Sequence, residues 1–159
     1  RPDPSPVWRG LARASVLHVL AERSRSGERT CQPLVPAAGE VVAVDRLADH
    51  AVGLHPAERL SGATLRWTEP VFVLDLRVPA TATTLTLRLL HLRSLDDGQV
   101  IAAWGPRPLP SSGVRVRPSS VTVSVPPGTQ GPLIIAVPRF PAPGDPRRLG
   151  LALVDLVAA

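Results

Sequence analysis

The chain has 159 residues, a formal net charge of +5 and one cysteine. That length suits one domain, or one domain with an extension, and allows an autonomous core. The basic residues are all arginines scattered along the chain, and aromatic residues are scarce. Nucleic-acid binding, which needs a basic patch on one face, is therefore not predicted. A single cysteine excludes an internal disulfide and favours a reducing, cytoplasmic location, and no apolar run approaches the roughly 20 residues that cross a bilayer.

Residues 6–24 are predicted to form one amphipathic helix. Ser5 suits the N-cap, and Pro6 suits the first helical position. One stripe at helical spacing consists of Trp8, Leu11, Ala12, Ser15, Val16, Val19 and Leu20. A polar stretch punctuated by Pro and Gly then runs to residue 39. We expect residues 1–39 to be a helix and linker, either the tail of a preceding domain or a brace on the edge of a β domain formed by residues 40–159.

From about residue 40 the pattern changes to short strands. Residues 84–89 alternate with period two, as a half-buried strand does. Further apolar runs cover residues 41–44, 71–78, 100–104, 121–125, 133–137 and 149–154. Proline falls mainly between these runs, where it removes no ladder donor. The pattern predicts a mainly β fold, an antiparallel β-sandwich of about eight strands with one N-terminal helix, in which Leu85, Leu87 and Leu89 face inward.

Two islands of polar, ring and charged residues flank the β-rich segment. They are Gly53-Leu54-His55-Pro56-Ala57-Glu58 with Arg66-Trp67-Thr68, and Asp145-Pro146-Arg147-Arg148 with the run that follows. Glu58 with Arg66, or Asp145 with Arg147 or Arg148, could form bidentate ion pairs. We interpret Asp145, Arg147 and Arg148 as a structural latch that closes the end of the sandwich. The alternative is that these groups bind sugar hydroxyls.

Trp67 and Trp104 are the candidates for stacking on a sugar ring, although a large ring on a strand more often fills the core. Arg66, Glu58 and His55 join them as candidate ligand-binding residues because they lie close together in the first island. No catalytic residues are predicted, since the sequence places no carboxylate pair together and contains no nucleophile elbow, phosphate loop or dinucleotide fingerprint. The histidines lack metal-ligand spacing, so neither a metal nor a cofactor is expected.

The two islands resemble a recurrent β-sandwich module attached to bacterial glycosyltransferases and other surface-polysaccharide proteins. The matching residues are Gly53, His55, Pro56, Glu58, Arg66, Trp67, Thr68, Asp145, Arg147, Leu149, Gly150, Ala152 and Leu153. They span roughly residues 50 to 156, and Leu54 stands where the family has an aromatic residue.

The resemblance implies a non-catalytic accessory module of carbohydrate-binding type within a larger glycan-building protein. Its partner would be a glycan or a linked glycosyltransferase domain. The alternative is a structural or protein-interaction sandwich that mediates domain or subunit assembly, and a hydrolase is a weaker third hypothesis. An exposed Trp67 or Trp104 beside a groove would favour sugar binding, whereas two buried rings with an exposed apolar sheet edge would favour assembly.

Overall fold

The structure, a computed structural model, describes residues 32–159. The strands are β1 Val41–Ala43, β2 Ala51–Leu54, β3 Glu58–Leu60, β4 Ala63–Leu74, β5 Thr84–Leu89, β6 Ile101–Trp104, β7 Arg107–Pro108, β8 Val114–Arg117, β9 Ser120–Ser124, β10 Leu133–Ala136 and β11 Ala152–Ala158. One short helix, α1 (Val44–Ala48), lies between β1 and β2, and short 3-10 helices cover Asp97–Gln99 and Ser111–Gly113. The predicted helix over residues 6–24 lies outside the described residues.

The described strands form one antiparallel sheet, strongly curled into a half-barrel. Its order is β7-β6-β10-β4-β11-β5-β9-β8, with β1 paired to β11 and both β2 and β3 paired to β4. The mainly β, antiparallel character is as predicted, but the two-sheet sandwich is not confirmed. The strands form one sheet because β4 pairs with β11 through Arg66 and Trp67 and with β10 through residues 71–74, and so connects the two parts. We call the part of the sheet on the β11 side the first half and the part on the β10 side the second half.

The change of partner along β4 occurs at Thr68-Glu69-Pro70. The Thr68 N–H donates to the Leu151 carbonyl at 2.8 Å, and the Thr68 hydroxyl accepts from the Leu151 N–H at 2.9 Å. Pro70 has no N–H to donate, but its carbonyl accepts from Val137 N–H at 2.8 Å. All these groups are satisfied, so Thr68 can be fully buried without an orphaned polar atom.

The largest core cluster lies on the inner, concave face of the sheet. Leu85 and Leu87 are fully buried in it, and the half-buried Leu89 packs against it, so all three side chains face inward as predicted. The opposite face of the first half carries a second cluster under the irregular segment 138–150. It comprises Leu65, Trp67, Leu149 and Ala152, with Leu90, Phe140, Ala142 and Val154 packed around them.

Gly150 lies directly against β4, where there is no room for a side chain. A Cβ there would lie 2.6 Å from the Glu69 carbonyl oxygen and 2.7 Å from Thr68 Oγ1. We therefore expect Gly150→Ala to lower the free energy of unfolding by about 2–3 kcal/mol, since overpacking forces backbone atoms apart. Denaturant unfolding measures this loss. Gly113→Ala is the matched control, because its Cβ would meet nothing closer than 3.6 Å, and equal losses in both variants would contradict the explanation.

Candidate functional site

The two sequence islands meet beside β4. The His55 N–H donates to the Trp67 carbonyl at 2.8 Å, and His55 Nε2 donates to the Arg148 carbonyl at 3.1 Å. Pairing of β2 with β4 brings the first island to Thr68, and hydrogen bonds from Gly150 and Leu151 bring the second island to the same residue. The juxtaposition is therefore produced by strand pairing over long sequence separations.

Arg147 lies between two carboxylates. Its Nη1 is 3.2 Å from Glu58 Oε2, and its Nη2 is 2.8 Å from Asp145 Oδ2. The hydrogen bond from the Arg147 side chain lowers the pKa of Asp145 to about 2, and the bond from the Arg147 N–H adds to the effect. Hydrogen bonds to Asp145 and then to Glu58 raise the pKa of Arg147. The three side chains form one ion cluster that ties segment 138–150 to β3.

The other charged candidates have different partners. Arg66 Nε donates to Asp45 Oδ1 at 2.9 Å, and Arg66 Nη1 donates to the His55 carbonyl at 3.4 Å. Glu58 is therefore paired with Arg147 and not with Arg66, whereas Arg148 contributes its carbonyl group to the contact with His55. The Glu58 carboxylate, the Arg66 guanidinium and His55 Nε2 are thus engaged in bonds within the chain.

The ion cluster has little of the electrostatic character of a hydrolase site. A general acid in such a site needs a raised pKa so that it holds its proton near neutral pH. The pKa of Asp145 moves in the opposite direction, and one guanidinium contacts both Asp145 and Glu58. The geometry therefore favours a structural role for the cluster.

Both candidate indoles are buried. Trp67 is 8% exposed, and its ring centroid lies 4.8 Å from that of Phe140 at an interplanar angle of 48°. Trp104 is 6% exposed and donates from Nε1 to Thr129 Oγ1 at 2.9 Å. Stacking on a sugar needs an open ring face, and neither indole offers one in this arrangement.

Sequence analysis missed Arg93, which lies beside Trp67 and Phe140. Its Nη2 donates to the carbonyls of Pro138 at 2.6 Å and Gly150 at 3.0 Å, and its guanidinium carbon is 5.5 Å from the Phe140 ring centroid. Burial lowers the pKa of Arg93. No described residue accepts a hydrogen bond from its buried Nε. No local pattern marks Arg93 in the sequence, because its partners come from segment 138–150.

A small groove adjoins Arg93. Its lining includes Trp67, Leu90, Phe140 and Arg117, and its volume of about 20 Å³ is room for roughly one water molecule. Arg117 is exposed at its rim. The groove therefore combines an apolar wall with two cationic groups.

Away from segment 138–150, the outer face of the first half is mainly polar, with two valines at one end. One cross-strand row on it consists of Val41, Val157, Thr86, Thr122 and Arg115. Thr86 and Thr122 share a hydrogen bond of 2.9 Å between their hydroxyls, and Arg88 donates bidentately to Asp155 in the next row. Hydrogen-bonding side chains of this kind suit a face in contact with water.

The outer face of the second half is apolar. Its central row consists of Val52, Val73, Ile134, Ala103 and Pro108, which are direct neighbours across β2, β4, β10, β6 and β7. A parallel row contains Val71, Ala136 and Ile101. We call these eight residues the apolar face. Ile134 and Val73 in its middle have no exposed surface, whereas Val52 at one end is 52% exposed.

Within residues 32–159, no three His, Cys, Asp or Glu side chains converge in a way that could hold a metal ion. No helix in this range is long and apolar enough to span a membrane. Comparison of the chain with protein-family models, curated proteins and solved structures finds no match.

Removing a carboxylate from the ion cluster should weaken the fold. We expect Asp145→Ala to lower the melting temperature by a few degrees at pH 7, because partly exposed ion pairs contribute modestly. The pKa of Asp145 is about 2 in the folded state against an ordinary 3.8, so its stabilising effect is complete above about pH 5 and disappears as the pH falls toward 2.

Melting curves of the wild type and Asp145→Ala, recorded between pH 7 and pH 2, measure this effect. The two melting temperatures should converge at the acidic end. The exposed Asp49 provides the control substitution, Asp49→Ala. A difference between wild type and Asp145→Ala that stays constant down to pH 2 would show that the carboxylate acts by some means other than its charge.

Proposed function

We propose that this chain is a non-catalytic β domain that mediates the assembly of domains or subunits in a larger protein. The observation that carries the proposal is the apolar face of the second half. An outer sheet face is polar where it meets water, as in the first half, and apolar where another protein layer packs against it. The apolar row crosses five strands, and because Val73 and Ile134 in its middle have no exposed surface, its exposed ends at Val52 and Pro108 are the surface available to a partner.

The two edge strands are unsuited to pairing with a strand of a partner, so we expect the contact to involve a face of the sheet. At one end of the sheet, β8 reads Val-Arg-Val-Arg with Arg115 and Arg117 exposed, and at the other end β7 is Arg107-Pro108. Charged side chains and proline on edge strands disfavour pairing with a further strand. From the sequence, an exposed apolar sheet edge was expected to favour assembly. These two edge strands expose no such edge, so we assign the assembly contact to the apolar face instead.

The resemblance to modules of bacterial glycosyltransferases supplies the context of the proposal. In that context the domain would position a linked sugar-transferring domain and would take no part in the chemistry. The burial of Trp67 and Trp104 favours this role over sugar stacking, because a ring within the core cannot also cover a pyranose face.

Carbohydrate binding remains the second candidate function, and the groove beside Arg93 is the observation that favours it. Arg93 has a buried Nε without an acceptor among the described residues, and Arg117 lies at the rim. The groove holds roughly one water-sized group, so the two guanidinium groups beside its apolar wall suit the carboxylate of an acidic sugar whose ring stays outside the groove. The ligand in this alternative is an acidic glycan.

The assembly proposal predicts that Val52→Glu weakens association and Val41→Glu does not. Both valines are about equally exposed, 52% and 54%, but Val52 lies at the end of the apolar face and Val41 lies on the polar one. The measurements are sedimentation of the chain at rising concentration and calorimetry against a glycosyltransferase domain from the same protein. A tenfold loss in either association, about 1.4 kcal/mol, is expected for Val52→Glu alone. Failure of the unchanged chain to associate in both measurements would overturn the proposal.

The carbohydrate alternative predicts saturable binding of uronic-acid oligosaccharides with a dissociation constant nearer millimolar than nanomolar, since few groups contribute. Nuclear magnetic resonance titration detects binding in that range. Arg117→Ala should weaken it, and Arg115→Ala, on the same strand but away from the groove, should not. Equal effects of the two substitutions would indicate nonspecific attraction of anions to a basic surface.

A further inference from the structure

We propose that the groove beside Arg93 binds the carboxyl-terminal residue of a partner's polypeptide chain, with its carboxylate near the guanidinium and its apolar side chain on Leu92. This assignment rests on the proposed function, because it names the chemistry by which an assembling partner is recognised. The carboxylate is carried here by an apolar residue, whereas the carbohydrate alternative places it on a hydroxylated ring.

Arg93 is a partly buried cation without a counter-charge. The half-buried arginines among the described residues are Arg66, Arg93 and Arg147. Arg66 and Arg147 each bond to a carboxylate. The hydrogen bonds of Arg93 come from Nη2 and go to uncharged backbone carbonyls, and its buried Nε has no acceptor among the described residues. A buried charge is costly unless it is paired, so the surroundings of Arg93 favour a bound anion.

The fold holds the Arg93 guanidinium in place. Its Nη2 donates to the carbonyls of Pro138 at 2.6 Å and Gly150 at 3.0 Å, and its central carbon lies 5.5 Å from the Phe140 ring centroid. These contacts all come from segment 138–150, which packs over the second cluster. A fixed donor loses little conformational entropy when a ligand binds, so one carboxylate can bind there with measurable affinity.

The lining of the groove favours a carboxylate on an apolar body. Among the described residues that form it, Arg93 and Arg117 carry the charged side chains, and the others are apolar apart from the indole N–H of Trp67. The polar side-chain groups of this lining are therefore all hydrogen-bond donors. A carboxylate only accepts hydrogen bonds, whereas each hydroxyl of a sugar also donates one and needs an acceptor.

The size and the rim of the groove indicate a chain end. The volume of about 20 Å³ admits one small group, and the rim carries Leu92, which is 39% exposed, and the exposed Pro118. A terminal residue holds its carboxylate and its side chain on the same carbon, so it can place the charge in the groove and an apolar group on Leu92. An internal aspartate or glutamate would bring flanking peptide N–H groups to a rim whose side chains offer no acceptor.

The groove and the apolar face lie in different halves of the sheet. Leu89 packs against the main core and Leu90 against the second cluster, and both line the groove at the end of β5 in the first half. The apolar face crosses the second half. Binding of a chain end can therefore be measured separately from association through Val52.

The test is a nuclear magnetic resonance titration of the full 159-residue chain with short peptides. The probe is an N-acetylated peptide of alanines that ends in leucine with a free carboxyl group. It is compared with the same peptide amidated at its end, with the same peptide ending in serine, and with glucuronate. The resonance of the Arg93 Nε–H group reports binding at this guanidinium.

We expect the free-acid leucine peptide to bind with a dissociation constant in the millimolar range, because few groups contribute. Amidation should weaken binding at least about tenfold, since it removes a charge-assisted hydrogen bond. The serine peptide, and the variant Leu92→Ser with the leucine peptide, should each bind about threefold to tenfold more weakly, since apolar contact at the rim is lost.

Leu60→Ser is the matched control for Leu92→Ser. Leu60 is 43% exposed against 39% for Leu92, but it lies on β3 and outside the lining of the groove. If circular dichroism shows that Leu92→Ser does not fold, Arg117→Ala takes its place, with Arg115→Ala as the control.

Equal affinities of the free-acid and amidated peptides, or the absence of a saturable shift at Arg93, would overturn the inference. So would glucuronate that binds as tightly as the leucine peptide, because the groove would then belong to an acidic sugar. Any of these results, combined with association that depends on Val52, would leave the proposed function standing. Binding of the free-acid peptide by a chain that does not associate through Val52 would support the groove and count against the apolar face.

Discussion

The fold depends on the passage of β4 from one half of the sheet to the other at Thr68-Glu69-Pro70. A long strand can change partners only if every polar group at the change finds a new partner, since a buried unpaired group costs about 1–3 kcal/mol. Thr68 bonds to Leu151 through both its backbone and its hydroxyl, and the Pro70 carbonyl bonds to Val137. Gly53, with φ of +91°, allows β2 to follow the same bend, because a Cβ there would approach the Val71 carbonyl to 3.0 Å.

Two arginines attach the irregular segment 138–150 to the sheet. Arg147 bonds to Asp145 in the segment and to Glu58 on β3, and Arg93 bonds to the carbonyls of Pro138 and Gly150. Partly exposed ion pairs add little stability individually, so burial of Trp67 and Leu149 between the sheet and the segment is the larger contribution. The arginines fix where the segment lies, and hydrophobic burial stabilises it there.

The same packing explains the functional proposal. The aromatic and charged residues that resemble a sugar-binding set are engaged with other parts of the chain. The Trp67 ring contacts the Phe140 ring, Glu58 pairs with Arg147, and Arg66 pairs with Asp45. The remaining unusual surface is the apolar face. A β domain with one polar and one apolar outer half is suited to lie between solvent and another layer of protein.

The sequence by itself determined the strand content, the antiparallel character and the inward direction of Leu85 and Leu87, because alternation with period two reports which face of a strand is buried. It also identified both islands. It left open how the charges pair and predicted two sheets, since local patterns carry no information on which strand continues from one half to the other. Only the tertiary structure decided that Glu58 meets Arg147, that Arg93 lies beside Trp67 and that an apolar row crosses five strands. Each of these contacts joins residues far apart in the chain, and strand register, which depends on the whole sheet, sets their neighbours.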